Sequence, residues 1–202
     1  MPVSEPSPPL SAAARSRAQT RARLRSSGKT LFAEQGLHGV TTHDIARDAG
    51  VAAGTFYLHF RDKQQLFREI VAETVTALRA RLEAATVDIS EPERRVRAHA
   101  EAMVSFAAEN RAVIRMLFSG DADAAAVESD VLGDLAGSIA EARRKRRDQG
   151  DASSLDPAIL AQALVGMWAR VLAWWTEDPT RAPREEIIET LSRIQLTGTE
   201  PA

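Results

Sequence analysis

Residues 41–60 read Thr41-Thr42-His43-Asp44-Ile45-Ala46-Arg47-Asp48-Ala49-Gly50-Val51-Ala52-Ala53-Gly54-Thr55-Phe56-Tyr57-Leu58-His59-Phe60, and the punctuation of that stretch decides the fold. Thr41 and Asp44 have capping-box spacing, with Asp as a shorter substitute for the usual Glu. They start a short helix over about 42–49, with Ile45, Ala46 and Ala49 turned inward. Gly50-Val51 makes a turn. A second short helix follows over about 53–60, where Phe56 and Phe60 lie one turn apart and face a core. Two short helices across a Gly-containing turn form a helix-turn-helix.

The helical period continues outward in both directions. A first helix spans about Ser16 to Gln35, with Leu24, Leu31 and Phe32 on one face; Gly28 in its interior suits close packing, and Gly36 stops it. Asp62 caps a long helix over about 63–85 that carries Leu66, Phe67, Ile70 and Val71. Further helices are expected over 91–110, 111–118, 124–148, 157–177 and 185–196. Asp156-Pro157 is a strong start signal for the fourth of these, and Gly150 a stop for the third. The expected class is all-α, with about nine helices: a tail over 1–15, a domain over 16–78 with its helix-turn-helix at about 41–60, and a further helical domain over 79–202.

Charge supports that division. Residues 1–63 hold nine Lys/Arg and five acids, a balance of +4, while the remaining 139 residues carry −6. Between Glu5 and Glu34 there are six bases and no acid. A basic front on an acidic body points to a polyanionic partner. The chain has no cysteine, which excludes disulfides, thiol nucleophiles and Cys-type metal sites. His38, His43, His59 and His99 are dispersed, with no metal-ligand spacing, no phosphate-binding Gly loop and no Gly-x-Ser-x-Gly elbow. No catalytic set, metal or cofactor is expected, so the chain reads as a non-enzyme. The Pro-, Ser- and Ala-rich tail lacks the pattern of a signal peptide. The longest apolar stretch, Pro157 to Trp175, is interrupted by Gln162 and Arg170 and reads as a buried or interface helix, not a membrane span.

Leu31-Phe32-Ala33-Glu34-Gln35-Gly36, Thr41 to Ala46, Ala49 to Phe60, and then Lys63 with Leu66-Phe67 together resemble the DNA-binding domain of the tetracycline-repressor (TetR) family, over about residues 20–70. The resemblance implies Thr42, Ala53, Gly54 and Thr55 near the major groove, Tyr57 and His59 on the sugar-phosphate backbone, and Lys63 on phosphate. It places Thr41 and His43 at the same surface. Small residues at the leading end of the second helix suit close approach of backbone to bases. Ala53 is too short to read a base edge, which shifts specificity toward Thr42, His43, Thr55 or the arginines. Arg25 and Ser27-Gly28 depart from the small apolar residues usual in the family. Arg21 and its neighbours Arg15, Arg17, Arg23 and Arg25 have two readings, phosphate contacts or a solvated helix face.

For the body the resemblance implies only an architecture, a helical region that binds a small-molecule effector and forms a homodimer. His99, Met103, Phe106, Met116, Phe118 and Trp168 are candidates to line a pocket, or plain core. Ala163, Gly166, Ile187, Leu191 and Ile194 are candidates for a four-helix dimer interface; filling the monomer core is the alternative. The cluster Arg143 to Arg147 reads as a solvated helix end, where cations meet unmade carbonyls. The resulting expectation is a cytoplasmic, nucleoid-associated homodimer that binds a near-palindromic duplex operator, acts as a repressor and releases DNA when a mainly apolar ligand binds. The rival is a helix-turn-helix scaffold that binds a partner protein instead of an operator.

Overall fold

The computed structural model describes residues 11–148 and 155–197, and the described residues contain helices and no strands. The helices are α1 (Ala12–Gly39), α2 (Thr42–Asp48), α3 (Ala53–Tyr57), α4 (Lys63–Thr86), α5 (Pro92–Glu109), α6 (Arg111–Leu117), α7 (Ala122–Asp148), α8 (Pro157–Glu177) and α9 (Arg184–Thr197), with a 3₁₀ turn at Pro179–Arg181. The expected order is present, with end shifts of a few residues. α1 begins earlier than expected, at Ala12, with the Ser11 hydroxyl accepting from Ala14 N–H at 3.2 Å. Thus residues 12–15, expected as tail, are helical, while residues 1–10 of that tail and the Gly150 stop lie outside the described residues. α3 is shorter than expected and ends at Tyr57.

The chain divides into two compact units, up to Phe67 and from Arg68 onward. The division falls inside α4, earlier than the boundary at 78 expected from sequence. A helix that continues across a boundary carries no Gly or Pro to mark it.

The first unit packs α1, α2 and α3 around aromatic rings. Phe32, Phe56, Phe60 and Phe67 are among the largest fully buried side chains, together with Leu24, Ile45 and Leu66. Phe32 meets Phe67 edge-on at 6.2 Å between centroids, and Phe56 lies 5.6 Å from Phe60. Gly36 ends the long run of α1 at φ +73°, a left-handed conformation that glycine reaches without a Cβ penalty. Leu37 and Val40 then turn inward.

The second unit has two seams. Ala136 and Ala140 on α7 meet Ala161 and Val165 on α8, and their small side chains permit close helix approach. Ala100, Val104 and Ala107 on α5, Trp168, Leu172 and Trp175 on α8, and Ile187, Ile188 and Leu191 on α9 form a larger cluster. α8, the one described helix long and apolar enough to cross a membrane, packs against α5, α6 and α7. Its stripe Met167, Trp168, Val171 and Trp175 faces this core. Ile187 and Leu191 were expected at a dimer interface, but they are 5% and 2% exposed and fill the same cluster. Amphipathic spacing on a terminal helix does not distinguish the two kinds of burial. Across the surface, Arg97 reaches Glu101, Glu185 and Glu189 and ties α5 to α9.

His99 lies against the Trp168 ring at 6.1 Å, and its Nδ1 is enclosed without a hydrogen-bond partner. Burial pushes its imidazole below the usual histidine range. The unfolded chain therefore takes up a proton near pH 6.5 while the folded chain does not. Stability falls as pH drops through that value toward the lower folded one. All three tryptophans, Trp168, Trp174 and Trp175, belong to this unit, so their emission reports its unfolding alone. We expect urea midpoints followed by emission to fall between pH 7.5 and 5.5, and to fall less steeply in His99→Gln. Parallel pH profiles for parent and variant would show that His99 is not the responsible group.

Candidate nucleic-acid interface

α2 and α3 present a continuous polar face from a capped frame. The Thr41 hydroxyl accepts from Asp44 N–H at 3.1 Å, and Asp44 Oδ2 accepts from Thr41 N–H at 3.1 Å and from the Thr41 hydroxyl at 2.6 Å. This is the reciprocal capping box read from the sequence. It holds the Asp44 carboxyl below the usual range, through the two Thr41 hydrogen bonds first and Arg47 after them. Thr41 was expected at DNA; its hydroxyl is committed to the cap.

α3 turns Phe56 inward and Ala53, Gly54 and Tyr57 outward. A Cβ on Gly54 would meet nothing within 4 Å, so its small size leaves the approach side clear. Tyr57 is 60% exposed, and its hydroxyl shares a 2.9 Å hydrogen bond with the Thr42 hydroxyl. That bridge joins the two helices through groups that both still have capacity for a further bond. His43 is exposed; Thr42, Thr55 and His59 are half-buried. Burial first, then the charges of Arg17 and Arg21, lower the His59 pKa. A neutral imidazole still donates one N–H.

Two residues read as candidates for phosphate contact have partners within their own unit. Lys63 Nζ donates to the carbonyls of Leu37 at 2.8 Å and Val40 at 3.1 Å, where the chain leaves α1. Its position at a helix start resembles a phosphate contact in sequence, yet the nearest unmet acceptors are in its own unit. Arg21 donates to the His59 carbonyl and stacks its guanidinium 4.2 Å above the Phe60 ring. Arg17 reaches the Leu58 carbonyl at 3.4 Å, and Arg23 the Gly50 carbonyl at 3.1 Å. Sequence reasoning missed these contacts, although a signal for two of them was present. Arg17 and Arg21 continue the buried line of Leu24, Gly28 and Phe32 at helical spacing.

In the second unit, the structure brings His99, Met103 and Trp168 together at the α5–α8 core. Phe106 and Met116 are buried outside that cluster, and Phe118 is half-buried. Trp168 Nε1 donates to Gln195 at 3.4 Å. Ala163 and Gly166 are exposed, as is Ile194 at 50%. Ile159, not foreseen, is 73% exposed and lies one turn before Ala163.

Residues 24–70 match the profile of bacterial regulatory proteins, tetR family. The transcriptional repressor KstR2 of Mycolicibacterium smegmatis is 41% identical over 44 residues, covering 22% of this chain and 22% of that protein. The match thus spans about a fifth of that relative's length. Among solved structures, the fatty acid degradation regulator FadR from Bacillus halodurans superposes with a TM-score of 0.74 at 17% identity, covering 87% of this chain and 93% of that one. SmeT, in its complex with triclosan, superposes with a TM-score of 0.72 at 20% identity, covering 91% and 93%. At such identities the superpositions show a shared all-helical fold.

The placement of Lys63 gives a direct test. Lys63→Ala leaves two carbonyls without their donor and should cost about 1–3 kcal/mol, read as the loss of amide-exchange protection in the first unit. A solvated helix-start lysine would change stability by less than about 0.5 kcal/mol.

Proposed function

We propose that this chain, whose residues 24–70 match the profile of bacterial regulatory proteins of the tetR family, is a one-component transcriptional repressor working in the cytoplasm at the nucleoid. The observation that carries the reading is the face of α2 and α3: a capped, aromatic-backed frame that points Ala53, Gly54 and Tyr57 outward with His43 and the Thr42 hydroxyl beside them. Residues this small at the leading end let the backbone approach base edges, with Thr42, His43 and Thr55 as the groups able to read them. Tyr57 and His59 donate to phosphates on either side. Ala53 and Gly54 supply fit, not hydrogen bonds.

One such head makes few contacts, so a homodimer binds a near-palindromic duplex whose half-sites lie about 34–36 Å apart, or somewhat more. Ile159, Ala163, Gly166 and Arg170 follow one line along α8 at helical spacing. Ile159, Ala163 and Gly166 are exposed, and Ile194 is the exposed apolar residue of α9. These residues, without Ile187 and Leu191, make the self-complementary face of the dimer.

The effector is a small, mainly apolar molecule that enters the second unit near His99, Met103 and Trp168. His99 Nδ1, beside Trp168, is a buried polar atom with no hydrogen-bond partner among the described residues, as is Ser192 Oγ on α9. SmeT, which shares the fold, forms a complex with triclosan. Binding lowers operator affinity only if the ligand prefers the DNA-incompetent state. The proposed activity is binding, not catalysis.

Selection from a random-sequence duplex pool at low salt tests this. The expected outcome is enrichment of an inverted repeat. Paired substitution Tyr57→Phe and His43→Ala should weaken its binding by about tenfold, with stability changed by less than about 0.5 kcal/mol. Failure of the parent to enrich any duplex, with capture of a protein partner through the same face, would favour an interaction scaffold instead.

A further inference from the structure

α3 has five residues, and its exit is held by side chains of another helix. The chain itself meets the Thr55 and Phe56 carbonyls at that end. Leu58 N–H donates to Thr55 at 3.2 Å, and the N–H groups of His59 and Phe60 both donate to Phe56 at 2.9 Å. Two carbonyls further on, of Leu58 and His59, are met by Arg17 and Arg21 from α1. The turn between α2 and α3 is met in the same way, with Arg23 donating to Gly50 at 3.1 Å. Gly50 stands at φ +66°, a left-handed turn that glycine reaches without a Cβ penalty.

We propose that Arg21 is a positioning residue for duplex recognition: its planar guanidinium, set between the Phe60 ring and the His59 carbonyl, fixes the exit of α3 in the pose that presents Tyr57 and His59, with Arg17 and Arg23 as lesser supports. This rests on the reading of the first unit as a duplex-binding domain, and it assigns these arginines a task other than phosphate contact. Two chemical demands make the residue type specific. The stack over Phe60, at 4.2 Å from the centroid, needs a flat, weakly hydrated cation. The helix end, with its unmade carbonyls, favours positive charge. Lysine meets the second demand and not the first. Phe60 is 1% exposed, so the platform under the guanidinium is itself immobile.

Shape and charge therefore separate the two roles. A phosphate ligand is replaceable by lysine, and its loss lowers the salt dependence of binding by about 0.9 in the log–log slope for each head. A positioning residue is not replaceable by lysine, and its loss leaves that slope unchanged.

The test uses the full-length protein and the duplex that the parent enriches from a random pool, measured by anisotropy across a salt series. Arg21→Lys and Arg21→Gln are each expected to lose about tenfold in affinity, with the parent's salt slope. Amide exchange at Phe56 to Phe60 is expected to quicken in Arg21→Lys. Parent-like affinity for Arg21→Lys, together with a slope reduced by about 0.9 per head for Arg21→Gln, would overturn the proposal while leaving duplex binding intact. Should either Arg21 variant fail to fold, Arg17→Lys and Arg17→Gln, at an exposed contact, carry the same comparison: an unchanged slope supports positioning, and a reduced slope overturns it. A parent that enriches no duplex overturns the reading on which the proposal rests, and the proposal with it.

Discussion

A helix of five residues has too few internal hydrogen bonds to persist alone, since helices below about 12–15 residues are marginal in water. α3 is such a helix, and it is the element that presents Ala53, Gly54 and Tyr57. Its order must come from outside. Phe56 and Phe60 bury completely against the first unit, which fixes the roll of α3 about its axis. The arginines of α1 meet the carbonyls at its exit and in the turn before it, which fixes its direction. The capping box at Thr41 and the Lys63 contacts to Leu37 and Val40 steady the helix on one side and the chain leaving α1 on the other. The recognition face is thus rigid without using any of the side chains that point outward. The Thr42–Tyr57 bridge is the exception, and it involves two hydroxyls that can each accept or donate once more.

The second unit is organised by a different requirement. Its two seams differ in chemistry. The α7–α8 seam is built from alanines and Val165, close-packed and without polar atoms. The α5–α8–α9 cluster contains two tryptophans, and beside it stands the neutral, unpartnered His99. A buried polar atom without a partner costs about 1–3 kcal/mol, a cost that a ligand oxygen or amide would relieve. The contrast between the seams is what leads the proposed effector to the second and not the first.

Much of this was legible in the sequence because the signals are local. Thr41-x-x-Asp44, Gly36, Asp62 and Asp156-Pro157 each mark a helix end through contacts within a few residues, and each mark appears where expected. Phe56 and Phe60 declared an inward face by spacing alone. What the sequence did not disclose is tertiary. A run of arginines reads the same whether it faces phosphate or the carbonyls of its own fold, and only three-dimensional placement brings Arg21 over Phe60. Ile187 and Leu191 belonged to an apolar stripe that suits either a core or an interface; burial within one chain assigned them to the core. The split at Phe67 fell within a continuous helix, where composition has nothing to mark.

The central claim is that the outward groups of α2 and α3 meet the duplex while the arginines beneath them stay on the protein. The most direct measurement is nuclear magnetic resonance of the labelled protein with and without its selected duplex, following backbone amides and arginine Nε–H signals together. The account predicts that the amides of Thr42, His43 and Ala53 to Tyr57 shift strongly, whereas the Arg21 Nε–H signal keeps its position. A large shift at Arg21 with α3 amides unmoved would contradict it, and would return the arginines of α1 to the phosphate backbone.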